Sequence, residues 1–190
     1  MLELREVTIE DRDWVTRMMK TSGFRGSEYT FSNLFNWASA YTVRIAVVEE
    51  YLIVRSGQMV HNFMFPAGVG DLRVAVEAME QSARDNGQPF RIYSISTEAK
   101  QELEMLYPGR FVFKAIRDNF DYIYSRESLA TLAGKKLHGK RNHIARFREN
   151  NPDWSYEPLT EKNLSEAWAM NVEWCRVNGC HETHSLQREA

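Results

Sequence analysis

The chain has 190 residues, 24 Lys and Arg against 26 Asp and Glu, and a formal net charge of -2. Hydrophobic residues make up 43% and charged residues 26%, the balance of a globular protein. The chain is therefore not a polycation, and attraction to nucleic acid or lipid phosphate must come from a local patch. No apolar run approaches the roughly 18 residues needed to span a bilayer. Met1-Leu2-Glu3-Leu4-Arg5-Glu6 lacks a basic-then-apolar signal pattern, and Cys175 and Cys180 alone make no disulfide framework, so a cytoplasmic protein is expected.

Leu2 to Val7 alternates apolar and charged residues as a half-buried strand does. Thr8 and Asp11 have the spacing of a capping box, and Trp14, Val15, Met18 and Met19 follow at helical intervals up to Gly23. Ser27 to Tyr41, with Tyr29, Phe31, Phe35, Trp37 and Tyr41, reads as a short, mostly buried helical segment. Val43–Val48, Tyr51–Val54 and Gln58–Phe65 predict an antiparallel meander, and Asp71–Asn86 an amphipathic helix. Phe90–Ile95 predicts a strand, Thr97–Leu106 a helix stopping before Pro108, and Phe111–Ile116 and Phe120–Tyr124 two more strands. Ser125 opens a helix toward Gly134, and a basic helix runs from Lys136 to about Asn150. This order predicts an α/β (α+β) fold, a mixed sheet with flanking helices.

The opening then recurs. Arg5-Glu6-Val7-Thr8-Ile9-Glu10-Asp11 matches Glu157-Pro158-Leu159-Thr160-Glu161-Lys162-Asn163 in pattern, and a Trp-bearing helix follows each. Residues 1–125 are expected to form a first domain, 126–152 connecting helices with the basic segment, and 153–190 the beginning of an incomplete second copy. The alternative is a terminal strand and helix packed on the first domain.

Four places have the residue types for chemistry. Lys135 to Arg148 holds six Lys or Arg, two His and no acid. On a helix, Leu137, Arg141, Ile144 and Arg148 form one stripe, with Leu137 and Ile144 expected to face the core. The arginines beside them then need phosphate, or an internal carboxylate such as Glu98 or Asp121. Phe65-Pro66-Ala67-Gly68-Val69-Gly70-Asp71 lies between a strand and a helix. Gly68 and Gly70 there present either a phosphate-binding loop or a plain tight turn, with Asp71 competing as a helix cap. Its spacing resembles the acyl-CoA loop of GNAT-type acyltransferases, with Phe65 in place of the usual polar residue. Cys175, Cys180, His181 and His184 invite a zinc reading, but the spacing fits no common zinc pattern, so no metal is expected and Cys175 reads as a core residue. Tyr29, Thr30, Asn33 and Trp37 form a candidate pocket, although most aromatics of that stretch suit a core.

Two motifs together resemble one family. Ser27-Glu28-Tyr29-Thr30-Phe31-Ser32-Asn33-Leu34-Phe35 with Trp37 is similar to its N-terminal motif. Asp121-Tyr122-Ile123-Tyr124-Ser125, Leu129 to Gly134, and Lys135-Lys136-Leu137-His138 with Lys140-Arg141-Asn142-His143 are similar to its central motif. The family is the uncharacterised bacterial proteins that share the C-terminal domain of phosphatidylglycerol lysyltransferase. The resemblance implies two GNAT-like domains in tandem and transfer of an acyl or aminoacyl group from acyl-CoA or aminoacyl-tRNA to an amine or hydroxyl. The alternative is a non-catalytic GNAT-like scaffold or RNA/anion-binding module. On the transferase reading, Lys136, Lys140, Arg141 and Arg148 hold donor or acceptor phosphate, and His138 or His143 is a candidate for proton transfer. Partners would be tRNA or acyl-CoA, with peripheral contact to anionic lipid. No bound cofactor beyond these donor substrates is implied.

Overall fold

The runs Val43–Val48 and Tyr51–Ser56, rich in branched apolar residues, become, in the computed structural model, the centre of a six-stranded mixed sheet. Residues 2–180 are described, and they divide into two compact units between Asn119 and Phe120. The first unit holds strands β1 (Arg5–Glu6), β2 (Arg44–Val48), β3 (Tyr51–Ser56), β4 (Asn62–Met64), β5 (Ala67–Gly68) and β6 (Ile92–Tyr93). Its helices are α1 (Arg12–Ser22), α2 (Phe31–Asn36), α3 (Leu72–Asp85) and α4 (Thr97–Leu106). The sheet order is β1-β2-β3-β4-β6, with β5 paired to β3. β2, β3 and β4 pair antiparallel in sequence, as the expected meander requires, β1 joins β2 antiparallel at the edge, and β6 returns through α3 to lie parallel to β4.

β3 is central because Leu52, Ile53 and Val54 are all fully buried, alternately on opposite faces. Each contributes roughly 1.5–3 kcal/mol on burial. Leu52 and Val54 join Ile45, Met64, Val15 and Met19 of α1, and Phe31 and Leu34 of α2. Ile53 joins Phe63, Phe65, Ala75, Val76 and Met79 of α3, and Leu103 of α4. The helices start where side chains cap them. Thr8 N donates to Asp11 Oδ2 at 2.8 Å ahead of α1, and Thr30, Asp71 and Ser96 accept from Asn33 N, Arg73 N and Ala99 N. Gly23, at φ 74, ends α1.

Two expected strands are absent. Phe111 and Phe113 pack half-buried against the α3–α4 side of the sheet while Val112 is 99% exposed, so the alternation is real. The main chain at 111–116 nevertheless joins no ladder, and a 3₁₀ turn, Arg117–Asn119, follows. At 120–124 every residue is exposed and none belongs to a strand. Apolar content was the only basis for a strand there.

The second unit, among the described residues, is helical: α5 (Arg126–Thr131), α6 (His138–Asn150) and α7 (Leu164–Val177), with a 3₁₀ turn at Lys135–Leu137. Ser125 caps α5 by accepting from Ser128 N at 3.1 Å. The Thr8–Asp11 bonds have a local counterpart in this unit. Thr160 N donates to Asn163 Oδ1 at 2.7 Å and Thr160 Oγ1 at 3.3 Å, as Thr8 N and Oγ1 donate to Asp11 at 2.8 and 3.1 Å. Cys175 and Cys180 are joined in a disulfide and Cys175 is half-buried, which corrects the expectation of a plain core residue on α7.

Candidate functional site

The basic run occupies the 3₁₀ turn Lys135–Leu137 and most of α6, and all of α6 is exposed. The expected inward stripe is not formed. Leu137 is half-buried and Ile144 is 40% exposed, because two apolar residues in the stripe supply too little surface to bury the helix. Arg141 turns to the main chain of its own unit. Its Nη1 donates to the carbonyl oxygens of Leu132 and, at 2.9 Å, Gly134. Those carbonyls follow α5, where Leu132 takes φ 49 and Gly134 φ 89. Arg141 thereby ties the entry of the basic helix to the end of the preceding one, and the favourable placement of a cation at a helix C-terminus supports the contact.

Lys136, Lys140 and Arg148 have no carboxylate within ion-pair distance among the described residues, and the first turn of α6 contains no acid. These three are free to meet an anion. His138 Nε2 lies 3.3 Å from Asn142 Nδ2, one turn along, and both His138 and His143 are exposed. Next to the run, the Phe147 and Trp154 rings meet edge to face at 5.9 Å, with 50% and 48% of each residue exposed. Trp154 was not among the sequence candidates. Its only signal was an aromatic residue shortly after a cationic helix, a combination that suits nucleobase stacking.

The other candidates lie in the first unit. Tyr29 is buried, and the single proton of its hydroxyl is shared between Ser94 O at 2.9 Å and Phe65 O at 3.2 Å, bridging the chain just past β4 and β6. Burial, and to a smaller degree Glu28 and Tyr93, push its phenol far above the usual range. Thr30 and Asn33 serve as cap and first turn of α2, and Trp37 stands half-buried against Tyr41 at 5.6 Å. Gly68 pairs with Tyr51 in the sheet, and a Cβ there would fall 1.9 Å from Glu50 O. Tyr51 Oη donates to Gly70 O at 3.0 Å, and Asp71 takes the N–H of Arg73. The loop is thus fastened to β3, and a carboxylate already sits at the start of α3. Cys175 and Cys180 bond to each other; His181 and His184 lie outside the described residues.

Residues 19–189 match the family model described as phosphatidylglycerol lysyltransferase, C-terminal. The chain belongs to this family. A solved structure from Bacteroides thetaiotaomicron VPI-5482, described as a conserved protein of unknown function, is similar at 34% identity with a TM-score of 0.89. The match covers 100% of this chain and 64% of that one, so this chain spans less than two thirds of its structural relative. No curated protein matches it. For the lysyltransferase C-terminal family, the mixed sheet with helices on both faces seen here is consistent with a GNAT-like fold. Among the described residues no helix is long and apolar enough to cross a membrane.

Proposed function

We propose that this chain is part of a transferase that moves an acyl or aminoacyl group from an activated, phosphate-bearing donor to an amine or hydroxyl. Aminoacyl-tRNA and acyl-CoA are the donors that fit, since each joins phosphate to a stackable base. The observation that carries the reading is the acid-free cationic run from Lys135 to Arg148, exposed beside the Phe147–Trp154 pair. Lys136, Lys140 and Arg148 contact phosphate, Arg141 positions the run through Leu132 and Gly134, and His138 or His143 serves proton transfer. In such chemistry the protein mainly orients the donor and stabilises developing charge. On this reading residues 153–190 begin a second domain of the same kind, a view supported by the matching Thr8–Asp11 and Thr160–Asn163 bonds.

A non-catalytic RNA- or anion-binding scaffold is the second reading. It is favoured by the first unit, where Tyr29 occupies the carbonyls beyond β4 and β6 and Asp71 occupies the start of α3. Titration with labelled tRNA and with acyl-CoA at two salt concentrations tests the phosphate site. Replacing Lys136, Lys140 and Arg148 together by alanine should weaken tRNA binding and flatten its log K against log salt slope by about 2–3. An unchanged slope removes the basic run from the site. Transfer of a labelled aminoacyl group from charged tRNA then separates enzyme from scaffold.

A further inference from the structure

We propose that Arg44 and Arg55, with His61 beside them, form an oxyanion-binding site on the first unit that takes a small carboxylate or phosphate. The site shares no residue with the basic run of α6 and stands whether or not the transferase reading holds.

The sheet register builds it. Glu6 faces Arg44 across β1 and β2, Arg44 faces Arg55 across β2 and β3, and Arg55 faces Phe63 across β3 and β4. Directly paired residues project to the same face of a sheet. That face is the one covered by α3 and α4, because Phe63 lies in their core, as do Ala46 and Ile53, each two residues from one of the arginines. Two arginines are therefore direct cross-strand neighbours on that face. Like charges directly opposite on neighbouring strands repel, so the pairing costs stability unless an anion lies between them.

Among the described residues, Glu6 is the one acid paired into this row. Arg44 Nη2 meets Glu6 Oε1 at 2.8 Å, and its Nη1 donates to Val43 O at 3.0 Å. Glu6 is exposed while the Arg44 side chain is 27% exposed. Arg55 has no carboxylate within ion-pair distance among the described residues, and its Nε is buried without a hydrogen-bond acceptor. Buried polar groups are nearly always bonded, and an orphaned arginine N–H is a rare exception. The local field agrees with the geometry. Burial first, and Arg44 second, lower the Arg55 pKa, and burial followed by Arg55 lowers that of His61. No acid contributes to either shift. The fork of an arginine donates to two oxygens of one carboxylate or phosphate in parallel bonds, which a chloride ion cannot accept. An oxyanion at this place would meet the Arg55 Nε–H, share the second guanidinium with Glu6, and favour the charged form of His61.

The test is thermal unfolding of the whole chain with phosphate in one arm and malonate in another, at ionic strength held constant with chloride. At roughly ten times its Kd the bound anion should raise the midpoint by about 3–6 °C. Arg55→Met should abolish that rise, and without anion it should unfold no earlier than the native chain, since it removes both the repulsion and the orphaned N–H. Arg44→Met should shrink the rise. The arm that responds identifies phosphate or carboxylate. The Arg55 Nε–H resonance of the native chain, followed by NMR in the same titrations, keeps the test independent of whether variants fold. A resonance that shifts with saturation in either arm supports the site. One that stays still in both, or an equal midpoint rise in Arg55→Met, overturns it.

Discussion

Asp11 is 4% exposed, and its carboxylate accepts five hydrogen bonds. Arg5 gives two at 2.8 and 2.5 Å, Thr8 gives its N–H at 2.8 Å and its hydroxyl at 3.1 Å, and Trp14 Nε1 gives one at 2.9 Å. Replacement by alanine removes the acid of the Thr8–Asp11 capping box, worth about 1 kcal/mol, and orphans the half-buried Trp14 donor for about 1 more. It also removes an ion pair that screening of the half-exposed Arg5 reduces to about 1 kcal/mol. The expected loss is about 3 kcal/mol in total. Asparagine should cost only about half of that, because the second unit shows Asn163 accepting the same Thr N–H without charge. The Arg5 guanidinium, then Thr8 and Trp14, hold the Asp11 carboxyl well below the usual carboxylate range against the opposing effect of burial. A depressed folded pKa stabilises the protein fully above the unfolded value of about 3.9, and the gain is lost as pH falls toward the folded one. Urea unfolding followed by circular dichroism should therefore show a constant gap between native chain and Asp11→Asn from about pH 7 to 5, narrowing below about 4. A loss under about 1 kcal/mol for Asp11→Ala, or a gap that widens in acid, would refute the reasoning.

Tyr29→Phe removes the one proton that the carbonyls of Ser94 and Phe65 share and should cost about 1–3 kcal/mol in urea unfolding. In the native chain the Tyr29 phenol should stay protonated in alkaline ultraviolet titration until the protein unfolds, as burial raises its pKa. Gly68→Ala drives a methyl group against Glu50 O, so the β3–β5 pairing must open; a cost above about 2 kcal/mol and loss of amide protection at Leu52 are expected.

Much of the first unit was legible in order of residues alone. The 3.6-residue spacing of Leu72, Val76 and Met79 and of Ala99 and Leu103 marks helices whose buried faces are the observed ones. The Glu49-Glu50 turn between two apolar runs marks the β2–β3 hairpin. These signals are local, since periodicity and capping act within a turn or two of the chain. The acid-free character of Lys135 to Arg148 is likewise a property of composition. What α6 does with its arginines is not: Arg141 turns to Leu132 and Gly134, a choice set by the αL turn that brings those carbonyls within reach.

The sequence by itself determined which segments are helical, where the hairpin turns, and where positive charge gathers. Only the tertiary structure decided that 111–116 packs its aromatics without joining the sheet, and that the Tyr29 hydroxyl bridges the chain beyond β4 and β6. It alone decided that Arg44 stands opposite Arg55. Strand alternation shows which face a residue takes, but its partner depends on register. Register is set by packing across the whole sheet, where residues distant in sequence compete for the same neighbours.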